Sequence, residues 1–217
     1  MIYRRVSRGL FFVAASFAGF LIPWSEDILR IALGPAYAGG ATALGIMFLY
    51  PLHQSMGQIA GTMMYATGRV RAQVVIGMLT MALGIVATYF VLAPPDAPVP
   101  GFGLGSGGLA GKMVIMQILA VNGISIYLAR SMQVKFDWTY QPIGLVACLG
   151  LGWIAYVMSR WLFEAPDQVA LGMLASGFIY SILIITVIWA TPSLVGLSRG
   201  ELRGLARRVR YGHRVVS

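Results

Sequence analysis

The chain has 217 residues, of which 58% are hydrophobic and only 11% are charged, and its mean hydropathy is +0.78. A soluble domain of this length cannot bury so much apolar surface, and a disordered chain would carry far more charge. The net charge is +9, but the basic residues stand at the ends of apolar runs instead of along one soluble face, which argues against nucleic-acid binding. The composition therefore predicts a membrane protein.

Apolar runs of about 20 residues, the length of a helix that crosses a bilayer, occur six times along the chain. None of them alternates polar and apolar residues as the strands of a membrane barrel do, so each is predicted to be a helix. The predicted spans are residues 8–24, 40–66, 72–93, 108–129, 143–161 and 169–191. The sequence thus predicts an all-α, polytopic membrane domain over residues 1–198, with about six transmembrane helices.

Three other segments have their own signatures. Residues 26–36 are predicted to form a short interfacial helix, with Ser25 as a candidate N-cap and acidic residues in its first turn. Residues 94–108 are too rich in proline and glycine to be helical and form a loop. Residues 199–217 form a basic cytoplasmic tail, which either lies as an interfacial helix on anionic lipid or stays solvated.

The charged residues divide unevenly between the two sides that these spans define. Thirteen of the 16 lysines and arginines fall on one side, and only Arg30, Lys112 and Arg160 fall on the other. Five of the seven acidic residues lie on the side that is poor in basic residues. Because loops rich in lysine and arginine stay in the cytoplasm, the sequence predicts an even number of spans with both termini cytoplasmic.

Polar side chains inside the second and fourth predicted spans are the strongest candidates for a functional site, because such groups are costly against lipid. Gln54 and Gln58 are four residues apart and share one face of the second span, next to His53. Asn122 lies in the fourth span. These groups either form hydrogen bonds between helices or line a cavity for a polar solute. All four are candidate residues of a substrate cavity.

Three basic residues are candidates for attracting a phosphate group. Arg69 and Arg71 lie at the inner end of the second hairpin, and Lys112 lies near the outer end of the fourth span. Arginine can bind a phosphate with two parallel hydrogen bonds. Basic residues at helix ends also anchor a helix in the membrane interface, which is the commoner arrangement.

The chain carries no recognisable catalytic set. His53 and His213 are far apart, no span contains a pair of carboxylates, and no His, Cys, Asp and Glu residues have the spacing of metal ligands. Asp137 and Glu201 are the only acidic residues on the predicted cytoplasmic side. The sequence therefore predicts a protein that is not an enzyme and uses no cofactor, and a membrane-bound glycan or lipid-phosphate transferase is the least favoured function.

Three stretches together resemble polysaccharide flippases. Residues 28–50 (ILRIALGPAYAGGATALGIMFLY) resemble a segment in which Gly-x-x-Tyr precedes an Ala-rich helix, and residues 64–72 (MYATGRVRA) resemble a helix that ends in Gly-Arg at a cytoplasmic hairpin. Residues 89–113 resemble a helix ending in proline, a Gly-rich outer loop and a Gly-Gly-Leu-Ala helix start. Over residues 1–135, the order and spacing resemble the C-terminal half of the multidrug/oligosaccharidyl-lipid/polysaccharide flippase superfamily, nearest to its O-antigen and exopolysaccharide flippases.

The resemblance implies one lobe of a two-lobe transporter in the bacterial inner membrane. In such flippases the lobes alternate access to a central cavity and turn a lipid-linked oligosaccharide from the inner to the outer leaflet. The implied partners are membrane lipid, the lipid-linked oligosaccharide, and either a second transmembrane half or a second copy of the chain. The alternative is a non-transporting membrane subunit that scaffolds an envelope assembly. In that case Gly57 and Gly61, two small residues four positions apart that let another helix approach closely, bind a partner, and the basic tail binds lipid.

Overall fold

A computed structural model describes residues 2–133, 138–163, 165, 168–197, 199–201 and 204 of the chain. Helix makes up 84% of the structure and no strand occurs in the described part, which confirms the predicted all-α class. The α-helices in this part of the chain are α1 (Ile2–Leu21), α2 (Ser25–Leu33), α3 (Ala41–Met47), α4 (Tyr50–Ala66), α5 (Val70–Leu92), α6 (Gly105–Ser131), α7 (Tyr140–Leu162) and α8 (Val169–Ala190). Short 3-10 turns cover Pro35–Gly40 and Pro192–Val195. The predicted tail helix over residues 199–217 lies largely outside the described residues.

Four of these helices, α5 to α8, are long and apolar enough to cross a membrane. A fifth span is formed if α1 and α2, whose axes meet at 72°, count as one broken span. The remaining predicted span, residues 40–66, corresponds to α3 and α4, and α4 alone has 17 residues. The helices are thus consistent with a membrane protein.

The second predicted span is broken instead of continuous. α3 ends at Met47 and α4 begins at Tyr50. Pro51 follows in the first turn of α4, where it has no N–H to donate to the Met47 carbonyl, and in a continuous helix its ring would clash with that carbonyl. Hydropathy does not register this break because Phe48 and Leu49, which connect the two helices, are as apolar as their surroundings.

The bend between α1 and α2 is fixed by Trp24. Its side chain is fully buried, donates a hydrogen bond from Nε1 to the Ser176 hydroxyl on α8 (3.2 Å), and packs edge-on against Tyr156 on α7. Ser25 is not an N-cap, so that prediction is wrong: Trp24 holds the cap position, and the Ser25 hydroxyl donates backwards to the carbonyl of Ile22 at 2.7 Å. The Ile22 carbonyl, which also accepts the Ser25 N–H, thus takes the hydroxyl that would otherwise cap α2.

The long helices form a row in the order α5, α6, α4, α1, α7 and α8, in which each packs against the next. The main core lies where α1 meets α4 and α7, around Phe11, Leu52, Met56 and Cys148. The outer surface is strongly apolar, since α5 has no buried residue and Phe178 on α8 is 70% exposed. Such a surface suits lipid rather than water. The row places α4 and α6 side by side with α5 beyond them, and this end of the row carries Gln54 and Gln58.

Candidate functional site

One face of α4 carries a polar stripe. Gln54, Gln58, Thr62 and Tyr65 are spaced by four, four and three residues, so they lie on one side of the helix. Gln58 and Thr62 are exposed, Tyr65 is 61% exposed, and Gln54 is half-buried. The stripe extends about 16 Å along the helix axis, at 1.5 Å per residue. It is therefore a polar track on a surface that is otherwise apolar.

The stripe forms one wall of a groove between α4, α5 and α6, with a volume of about 400 Å³. Gln117 on α6 donates from Nε2 to Oε1 of Gln54 at 2.7 Å, which ties the two helices together. Gln73 on α5 also lines the groove, and its Oε1 is buried without a hydrogen-bond partner among the described residues. The groove thus presents carboxamides from three helices, together with a tyrosine and a threonine.

The position of this groove has an energetic consequence. Carboxamides that face hydrocarbon lose their hydrogen bonds to water, and an unsatisfied amide costs on the order of 1–3 kcal/mol. Gln58 is exposed on a helix whose neighbours α5 and α6 are long and apolar enough to span a membrane. A groove of this composition is therefore stable when it faces water or a polar partner, and it can exchange hydrogen bonds with a solute that carries many hydroxyl groups.

His53 and Asn122 lie in the bundle interior and not in the groove. His53 Nε2 is 3.2 Å from Oε1 of Gln141 on α7, and Gln141 Nε2 donates to Oδ1 of Asn122 at 3.1 Å. All three side chains are buried, with exposures of 7%, 6% and 2% for His53, Gln141 and Asn122. This buried cluster links α4, α6 and α7 through one glutamine. Phe11 on α1 packs edge-on against the His53 ring and covers one side of this buried cluster.

The three basic candidates occupy different places. Arg69 donates from Nη2 to the Ser131 carbonyl at 3.3 Å, so it binds the C-terminal end of α6, where the helix dipole favours a cation. Arg71 is exposed at the start of α5. Lys112 lines a second groove, between α5 and α6. The structure therefore brings together Gln54 and Gln58 as groove residues, joins His53 to Asn122, and separates Lys112 from the two arginines.

Gly57 and Gly61 do permit close approach, but within this chain. A Cβ at Gly57 would lie 2.9 Å from the Val121 side chain on α6, and one at Gly61 would lie 3.2 Å from the Gln73 amide on α5. The small residues therefore serve the packing that builds the groove, and neither is left open for a helix of another protein.

Gln73 on α5 and Gln141 on α7 join these clusters but are not among the residues that the sequence analysis selects. Each stands within two residues of the end of a predicted span, where a polar residue is expected to face the membrane interface. The available signal for Gln73 was composition, since it is the only carboxamide in residues 70–92. In the structure it lies opposite the glutamine-bearing face of α4. Among the described residues, no group of three His, Cys, Asp or Glu side chains could hold a metal ion.

Comparison with known proteins adds no relative: no protein-family model, curated protein or solved structure matches this chain.

Proposed function

We propose that this chain is one lobe of a flippase that moves a lipid-linked oligosaccharide across the bacterial inner membrane by alternating access. The observation that carries the proposal is the carboxamide-lined groove on α4, α5 and α6, whose exposed Gln58 lies on a surface that is otherwise apolar. A wall of this kind suits a cavity that shelters polar sugar hydroxyls while the lipid tails stay in the bilayer. The resemblance of residues 1–135 to polysaccharide flippases points the same way.

The geometry of the groove supports the following mechanism. Carboxamides both donate and accept hydrogen bonds, so Gln54, Gln58 and Gln117 can exchange partners as sugar hydroxyls pass. A second transmembrane half or a second copy of the chain closes the groove and rocks against it. Arg71, exposed at the start of α5, attracts the pyrophosphate on the cytoplasmic side, while Arg69 holds the end of α6.

The proposal includes six spans with both termini in the cytoplasm: α1, the broken pair α3 and α4, and each of α5 to α8. Contacts along one end of the bundle support this arrangement. Arg5 at the start of α1 pairs with Glu201 beyond α8, and Arg8 donates to the Ser193 carbonyl at 3.1 Å. This arginine-rich end of the bundle is the side that the distribution of basic residues predicts to be cytoplasmic.

We expect a Gln58→Leu variant to reduce surface polysaccharide export about fivefold, because one hydrogen bond to the passing solute is worth about 1 kcal/mol. The assay is complementation of a strain that lacks the gene, normalised to the amount of protein in the membrane. Thr186→Val on α8 is the control, since Thr186 is also exposed and polar, and its hydroxyl donates to the Ile182 carbonyl of its own helix, away from the groove. Normal export by Gln58→Leu would contradict the proposal. If the protein then co-purified with other envelope proteins, the scaffolding function would be favoured.

Water in the groove can be tested separately from transport. Cys148 is the only cysteine of the chain and is fully buried, so single introduced cysteines report on their own positions. We expect Gln58→Cys to react with a charged methanethiosulfonate reagent about tenfold faster than Phe178→Cys, because the reactive thiolate forms only in water. Both residues stand near the middle of their helices, and Phe178 is 70% exposed. Equal rates at the two positions would show that the groove is as dry as the lipid-facing surface.

A further inference from the structure

Lys112 lines a second groove, which shares Gln117 with the carboxamide-lined groove but is formed mainly by residues that the transport proposal does not use. This second groove, between α5 and α6, has a volume of about 480 Å³ and is lined by Tyr50 from α4 as well as by residues of the two long helices. The Lys112 ammonium lies 3.8 Å from the position that a Cβ would occupy at Gly84 on α5. A Cβ at Gly84 would only be in van der Waals contact with the ammonium, so the Lys112 side chain reaches across to α5 at this residue.

The ammonium lies well inside the apolar length of both helices. Lys112 is seven residues from the start of α6 at Gly105, which corresponds to about 10 Å along the axis. Gly84 is eight residues from the end of α5 at Leu92, which corresponds to about 12 Å. The side chain thus extends across the hairpin to a residue two turns inside α5 instead of reaching out to the end of the helix, as an interfacial anchor does.

Among the described residues, no counter-charge accompanies this ammonium. The groove lining contains no carboxylate, and Lys112 forms no ion pair or hydrogen bond within the part of the chain that the structure describes. The hydroxyls of Thr80 and Thr88, which line the same groove, donate to carbonyls of α5 itself. A half-buried cation at this depth is costly unless an anion approaches it.

The walls of the groove are suited to acyl chains. Met81, Ile85 and Met113 line it and are 71%, 64% and 38% exposed. Methionine side chains are flexible and adapt to irregular apolar partners. The groove thus combines a half-buried cation and a tyrosine, Tyr50, with exposed apolar side chains.

We propose that this groove is a binding site for an anionic membrane phospholipid, with the lipid phosphate against the Lys112 ammonium and the acyl chains along α5. Charge complementarity selects the phosphate, and the exposed methionines and isoleucine select a partner that is itself part of the bilayer. A bound lipid would fill the space between α5 and α6 and neutralise the cation. This site does not depend on the proposed transport function, since a lipid held here has a structural role whatever the protein carries.

The test measures phosphatidylglycerol binding to the purified full-length protein by native mass spectrometry, with phosphatidylcholine as the uncharged comparison. We expect Lys112→Gln to weaken phosphatidylglycerol binding about fivefold and Lys112→Arg to preserve it. Gly84→Leu, which fills the groove without removing the charge, is expected to weaken binding as well. Arg130→Gln, which removes an exposed cation on the same helix but outside this groove, is the matched control and is expected to bind as the unaltered protein does.

Three outcomes would overturn the proposal. The first is phosphatidylglycerol binding by both Lys112→Gln and Gly84→Leu at the level of the unaltered protein. The second is an equal loss in Arg130→Gln, which would mean that any surface cation attracts the lipid. The third is displacement of phosphatidylglycerol by a polyprenyl phosphate at much lower concentration, which would assign the groove to a lipid carrier instead. A failure of transport with phosphatidylglycerol binding intact would count against the transport proposal only.

Discussion

A Gly152→Val variant is expected to lose about 3 kcal/mol of its free energy of unfolding, near the upper end of what overpacking costs. The reason is a backbone contact between α1 and α7. A Cβ at Gly152 would overlap the carbonyl oxygen of Gly19, and a Cβ at Gly19 would overlap the carbonyl oxygen of Cys148. Neither obstacle is a flexible side chain that can move away, so the two helices would have to separate along the core that they share.

In the measurement, the detergent-solubilised protein is heated, and the temperature at which the monodisperse fraction disappears is recorded as its unfolding temperature. Gly150→Val is the matched control, because Gly150 lies on the same helix two residues away and has nothing within 4 Å of its Cβ position. Helices in lipid associate largely through close packing of small residues, so only the first change should matter. Unfolding of both variants at one temperature would show that the close crossing of α1 and α7 contributes little.

The sequence was sufficient to predict the helical class and the long apolar helices, because both follow from local composition. The predicted spans 72–93 and 143–161 correspond to α5 (Val70–Leu92) and α7 (Tyr140–Leu162). Hydropathy could not predict the break at residues 48–49, since that break depends on the missing N–H and the ring of Pro51 and not on polarity. It also placed the start of α6 three residues late, so Lys112 stands deeper in its helix than the sequence analysis assumed.

The candidate site was predictable only in part. The stripe on α4 follows from helical spacing, and Gln54 and Gln58 could be assigned to one face from the sequence. Which polar residues pair with each other depends on how the helices cross, and no spacing rule connects residues 53, 122 and 141. Gln141 falls two residues before the predicted span 143–161, although it joins His53 to Asn122 in the core.

The buried cluster provides the second large effect that we expect. Gln141→Leu would leave the Nε2 atom of His53 and the Oδ1 atom of Asn122 without the hydrogen bonds that Gln141 now makes to them. An unsatisfied buried polar group costs about 1–3 kcal/mol in water-soluble proteins, whereas hydrogen bonds between membrane helices average about 0.6 kcal/mol. With two groups left unsatisfied, we expect the free energy of unfolding to fall by about 2 kcal/mol.

Gln58→Leu is the matched control for this change, because the same substitution at an exposed groove position leaves no buried group unsatisfied and should not alter the unfolding temperature. A triple variant, His53→Phe with Asn122→Leu and Gln141→Leu, separates the hydrogen bonds from the packing. Removing all three polar groups together leaves none unsatisfied, so the triple variant should be more stable than Gln141→Leu alone. A triple variant less stable than the single one would mean that α4, α6 and α7 are held by the shapes of these side chains and not by their hydrogen bonds.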